Sequence, residues 1–335
     1  MDTHGKVLRM GAAALVCALV FRLASRGLPE KIAAWFSQPE AAAFLIYLET
    51  GRDVRFSLSS QVFSPEFAAE SAAPLFSDLP EDKPVFAPED ADRVQMYYAC
   101  GLRPDLGLLI SEPLEWELTA PEPTVLILHT HTTESYTKTT EDYKESSAWR
   151  TLDENYNMLS IGDALGQTLA KNGITAVHDR ELHDYPSYNG SYNDARKSIA
   201  AYLEEYPSIR LVLDLHRDAA DTEDGQLRTA VDLDGQRTAR LMLVMGTDAA
   251  GLTHPEWEEN LSLALKLHAA LEKQAPGIMR PLILRAQRFN QDMHPGALLV
   301  EVGAAGDSHA EALAASEQLA KAIVALAKGT SDASP

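Results

Sequence analysis

Between Pro121 and Lys328, short apolar runs alternate with amphipathic helical patterns, and this alternation narrows the possible folds more than anything else in the 335 residues. Thr124–His129 (TVLILH), Ile174–His178, Ile209–Leu215 (IRLVLDL), Ala239–Met245 (ARLMLVM), Pro281–Leu284 and Ala297–Val302 read as buried strands. Among them, Asn155–Asn172 reads as a helix with Met158, Ile161, Leu165 and Leu169 on one face and Gly173 as its stop. Asp194–Tyr206, Pro255–Gln274 and the Ala-rich Ser308–Lys328 read as further helices. Strands alternating with helices predict an α/β fold, a mainly parallel sheet flanked by helices. In such sheets the chemistry collects at the carboxyl ends of the strands.

Polar side chains able to bind metal follow the apolar runs three times. After TVLIL comes His129-Thr-His131-Thr-Thr-Glu134, in which His-x-x-Glu offers an imidazole and a carboxylate from one tight turn. After IRLVL comes Asp214-Leu-His216-Arg-Asp218, which adds a second imidazole. Two histidines and a carboxylate leave a fourth position for water, as in hydrolytic zinc sites. The third case is Glu301, at the end of GALLVE. Burying an acid there is costly unless it is used, and its natural use is as general base and acid. Ser135 and Ser308 lack a nucleophile-elbow context, and there is no G-x-G-x-x-G or P-loop.

Composition bears on partners. The chain carries 49 acidic and 29 basic side chains, a formal net charge of −20, which repels nucleic acid. Its two cysteines, Cys17 and Cys100, cannot make a cysteine-rich metal centre, so any metal falls to His, Asp or Glu.

Residues 26–117 contain an acidic Pro/Ala-rich stretch, 63–93, that reads as a linker. Before it, Lys6 and Arg9 precede the apolar run Met10–Phe21, and Arg22 and Arg26 follow. Residues 1–25 are expected to be a membrane anchor or signal segment, with the remainder outside the cytoplasm by the positive-inside rule. The catalytic domain is expected at 118–328.

Several stretches carry a family resemblance: ILHTHTTESYT, RTLDENYNM followed by GDAL, HDYPSYNGSY, LVLDLHRDA, HPEWEENLSLALKL and HPGALLVEVGAAGDS. Together, and in this order, they resemble the stage II sporulation protein P family over about residues 124–325. The resemblance implies a membrane-anchored peptidoglycan hydrolase active in septal wall remodelling during sporulation. Its domain would be zinc amidase- or carboxypeptidase-like, cleaving the N-acetylmuramoyl-L-alanine amide and stem-peptide cross-links. It also implies a partner, the lytic transglycosylase stage II sporulation protein D. The implied site holds Zn2+ at His131 and His216, with Glu301 as catalytic acid/base. The middle ligand is Glu134 on a carboxypeptidase-like reading, or Asp153 or Glu154 on an amidase-like one; chain proximity favours Glu134. His129 is the alternative to His131.

Tyr188, Asn189 and Tyr192, in a turn-rich loop, are candidates to contact sugar or peptide. Arg217, Arg285 and Arg288 are candidates to pair with substrate carboxylates. Two other functions fit the same pattern: a zinc peptidase confined to stem peptides, and an inactive wall-binding scaffold.

Overall fold

The computed structural model describes residues 59–68, 76, 84–114, 116–137, 149–222 and 225–327. The expected anchor at 1–25 and much of the acidic stretch lie outside them. Among the described residues no helix is long and apolar enough to cross a membrane.

The apolar runs become the strands of one large sheet. β1 is Ser60–Phe63, β2 Met96–Tyr98, β3 Val125–Leu128, β4 Ala176–Asp179 and β5 Leu211–Asp218. Two small hairpins follow, β6 (Asp221–Thr222) with β7 (Gly225–Gln226), and β8 (Val231–Leu233) with β9 (Gln236–Thr238). Then come β10 Leu241–Met245, β11 Leu282–Leu284 and β12 Ala297–Ala304. The sheet order is β1-β4-β3-β5-β12-β10-β11-β2. Neighbours are parallel except for β1 with β4 and β12 with β10. The sheet is therefore mainly parallel, as expected, with an antiparallel junction near its middle.

Two short 3-10 helices, Pro88–Arg93 and Gln291–Met293, and six α-helices complete the described elements: α1 Pro65–Ala68, α2 Leu106–Ser111, α3 Met158–Lys171, α4 Ser191–Glu205, α5 Trp257–Gln274 and α6 His309–Ala327. α3 starts where the Asn157 side chain accepts a hydrogen bond from Leu159 N, a cap for otherwise orphaned donors. It buries Met158, Ile161, Leu165 and Leu169. Each such side chain contributes about 1.5–3 kcal/mol on leaving water.

Side chains alternate across the sheet. Leu213 and Leu215 of β5, Leu241, Leu243 and Met245 of β10, and Leu298, Val300 and Val302 of β12 join the main core with the apolar faces of α3, α5 and α6. The intervening residues, among them Asp214, His216, Met242, Leu299 and Glu301, project from the other face. β1 and β2 fall before residue 118 yet belong to this sheet, in a compact unit that begins at Ser59. Nothing in the local pattern of Met96–Tyr98 distinguishes it as a strand; pairing with β11 does.

Candidate metal and catalytic site

β3 ends at Leu128, and the chain turns through His129–Glu134. The turn is pinned on all sides. Thr132 Oγ1 shares its one proton between the carbonyls of His129 (2.9 Å) and Glu181 (2.7 Å). Asp184 accepts from Thr133 N at 3.1 Å and from Thr133 Oγ1 at 2.7 Å. Thr130 N (2.7 Å) and Thr130 Oγ1 (2.6 Å) donate to the two oxygens of Asp214.

The two histidines of the turn part company. His129 points toward α3: its Nδ1 lies 3.0 Å from Leu215 O and its Nε2 2.8 Å from His178 Nε2. His178 Nδ1 in turn meets Asp163 at 2.8 Å. Gly162 sits against this pair, where even one methyl would come 2.8 Å from His129 Nε2. His131 turns the other way, its ring 5.2 Å from that of His216 and perpendicular to it. The structure thus places His131, not His129, beside His216.

His216 lies inside β5 and Glu301 inside β12, rather than past the strand ends, and the two are directly paired across the parallel ladder. The register shifts just after Glu301, where Gly303 takes φ 74°, a conformation that favours glycine. Glu134 completes the group. Its Oε2 is 3.6 Å from His216 Nδ1 and accepts from Arg217 N at 3.2 Å. Its Oε1 is 3.3 Å from Arg150 Nη2. Asp153 is engaged with Asn155 next door, and Glu154 pairs with Arg180 at 2.7 Å. The carboxylates acting on both imidazoles are Glu134 and Asp214. Asp214 stands in the DLHRD run, and only the β3–β5 pairing shows it facing Thr130 and His216.

Burial sets most of the charge states. It lowers His131 to about 4, leaving the imidazole neutral, with one nitrogen able to accept, at neutral pH. Burial also opposes charge on His216, but Asp214 and Glu134 outweigh it and raise its pKa well above the ordinary value. For Glu134, burial is outweighed by Arg217 and His216, which keep it ionised. Burial raises Glu301 to about 8, and its Oε2 is buried with no hydrogen-bond partner.

The donor types suit a zinc ion: two imidazoles, one neutral, and an ionised carboxylate, with a further carboxyl whose buried oxygen lacks a partner. The side chains are adjacent rather than drawn in, since among the described residues no group of three His, Cys, Asp or Glu stands ready to hold a metal.

Around the mouth, Tyr188 stacks on His131 with ring centroids 4.6 Å apart, and Tyr192 meets the same ring edge-on at 5.6 Å. The Arg150 guanidinium lies 4.9 Å from the Tyr188 ring centre and also pairs with Asp184. Arg150 was not anticipated, because its partners are distant in sequence. Arg217 is buried, and its guanidinium donates to the carbonyls of Ser135 (3.1 Å) and Trp149 (2.8 Å), so it braces the site from within. Arg288 pairs with Asp292 at 3.1 Å. Asn189 and Arg285 are exposed.

Fold and site together define an α/β protein with a cluster of His, Asp and Glu side chains on one face of a mixed sheet. Residues 73–324, more than half of the chain, match the model of the family described as stage II sporulation protein P (SpoIIP). The chain belongs to this family. It is 28% identical over 198 residues to stage II sporulation protein P of Bacillus subtilis (strain 168), a match covering 56% of this chain and 47% of that protein. The chain therefore matches about half the length of that curated relative. Among solved structures, N-acetylmuramoyl-L-alanine amidase from Clostridium difficile 630 aligns over 61% of this chain and 94% of that one. The TM-score is 0.35 at 15% identity, a likeness too loose to bear on the site.

Proposed function

We propose that the chain is a zinc-dependent peptidoglycan hydrolase cleaving the amide between N-acetylmuramic acid and L-alanine. The supporting observation is the meeting of His131, Glu134, His216 and Glu301 in a member of the sporulation protein P family. His131, Glu134 and His216 would hold the metal. When bound, zinc supplies Lewis-acid polarisation of a carbonyl and lowers the pKa of water toward about 7. Glu301, beside His216 on the next strand, takes the proton of the attacking water and returns it to the leaving amine. The buried setting of Glu301 favours a carboxyl that can both accept and release a proton near neutral pH. Tyr188 and Tyr192 flank the approach to His131 and offer aromatic faces to substrate. Attachment to the membrane through residues 1–25, action outside the cytoplasm and cooperation with stage II sporulation protein D belong to the same proposal.

The test combines metal content with product chemistry on the whole chain. The expected result is about one zinc per chain, lost on changing His131 and His216 to Ala, with new free amino groups on L-alanine in digested wall. Glu301→Gln should retain zinc while cleavage falls by about 10²–10⁴-fold. New termini at cross-bridges alone would replace the amidase reading with a peptidase. A folded, chelator-free protein with no zinc and no wall cleavage would refute it.

A further inference from the structure

Each imidazole of the site has a nitrogen in close contact with a buried polar group outside the proposed ligand set, Ser191 for His131 and Asp214 for His216. His131 Nδ1 is 3.3 Å from Ser191 Oγ. Ser191 is 2% exposed and fixed in the first turn of α4. His131 Nε2 is also 3.3 Å from a hydroxyl, that of Tyr188. Tyr188, however, is 55% exposed and lies on the loop between β4 and α4, so it can leave without disturbing a helix. The asymmetry marks Nδ1 as the permanently partnered nitrogen and Nε2 as the one a ligand can reach.

His216 is partnered in the opposite sense. Its Nε2 lies 2.9 Å from Asp214 Oδ1, off the axis of an ideal hydrogen bond. Asp214 is itself anchored by Thr130 N and Thr130 Oγ1. His216 Nδ1 faces Glu134 Oε2 at 3.6 Å, the carboxylate that would share the metal with it.

We infer that Ser191 and Asp214 are positioning residues that fix which nitrogen each histidine offers the metal, Nε2 from His131 and Nδ1 from His216. The inference rests on the zinc reading above and extends it to two residues outside the ligand set. A coordinating imidazole keeps a proton on its other nitrogen. An acceptor at that proton orients the ring and raises its basicity, and losing the acceptor weakens metal affinity by about 10–100-fold. Ser191 Oγ accepts from His131 Nδ1–H, and the Asp214 carboxylate, 2.9 Å from His216 Nε2, holds the proton on that nitrogen by charge rather than by an aligned hydrogen bond. Both groups act through the rings and touch neither metal nor substrate.

The test uses the full chain with nitrogen-labelled histidines, loaded with spin-active cadmium as the probe. Scalar coupling from cadmium should appear at His131 Nε2 and His216 Nδ1. Ser191→Ala and Asp214→Asn should each weaken cadmium and zinc binding about 10–100-fold. Coupling at His131 Nδ1 or His216 Nε2 overturns the inference, as does unchanged affinity in either variant. Abolished rather than weakened binding in Asp214→Asn would make Asp214 a ligand and likewise overturn it. The coupling pattern is read on the parent chain, so it decides the matter even if a variant fails to fold. A parent chain that takes up no metal refutes the zinc reading itself; metal bound through the wrong nitrogens refutes only the assignment of these two residues.

Discussion

Gly162→Ala tests how tightly the catalytic turn is tied to the core. Gly162 lies in α3 directly over the His129–His178 pair. An added methyl would come 2.6 Å from His178 Cε1 and 2.8 Å from His129 Nε2, well inside van der Waals contact. The helix alone would gain about 1 kcal/mol from replacing glycine by alanine. Against this, overpacking a dense core costs about 1–3 kcal/mol. The rings cannot retreat freely, because His129 is bonded to Leu215 O and His178 to Asp163. If the His129–His178 bond breaks, a buried polar atom loses its partner at a further ~1–3 kcal/mol. The net is a loss of about 3 kcal/mol, within a range of about 1–5, or roughly 4–5 °C in Tm for a protein of this size. Equilibrium denaturation followed by circular dichroism measures it. His129 leads directly into His131, so zinc affinity should fall in the same variant. A Gly162→Ala protein as stable as the parent or more so would show that α3 does not press on the pair and would refute the reasoning.

Two predictions concern pH. Lys266 on α5 donates to Ser262 Oγ at 2.6 Å and to Leu109 O at 3.2 Å, and burial lowers it to about 8. The unfolded chain therefore binds more protons between about pH 8 and 10.5, so this lysine's effect on stability becomes more favourable as pH rises through that window, by up to about 3 kcal/mol. Lys266→Met should flatten the rise in denaturation midpoints measured at pH 7.5 and 10.5, and an unchanged slope would count against a buried amine. Glu301 is shifted the other way: its folded value of about 8 exceeds the ordinary 4.5, so its contribution is fully present below about pH 4.5 and is lost as pH rises through 8. In metal-free protein, Glu301→Gln should therefore gain on the parent by roughly 2–4 kcal/mol between pH 4.5 and 9. A difference independent of pH would mean that the carboxyl is solvated.

Much of this protein is legible along the chain, because burial leaves a local signature. TVLIL, IRLVL, ARLML and GALLV each had to be strands in a covered sheet, and the spacing of Met158, Ile161, Leu165 and Leu169 had to be a helix face; the structure places them so within a few residues. His131 and His216 could be noticed for a related reason, since imidazoles are uncommon immediately beside such apolar runs. Tertiary structure decided the rest. Whether His129 or His131 faces His216 depends on the turn after Leu128, which Thr130, Thr132 and Thr133 fix through partners at Asp214, Glu181 and Asp184. Glu301 meets His216 only because β12 inserts beside β5 in a particular register, and a shift of one residue would turn its carboxyl into the main core. Arg150, Ser191 and Asp214 gave no signal alone, because an ion pair or a ring-orienting hydrogen bond is a property of two groups brought together. Hydrophobic periodicity is written in neighbouring residues, whereas the charge and geometry of the site arise from residues more than 80 positions apart, such as Glu134 and His216, and exist only once the sheet has closed its register.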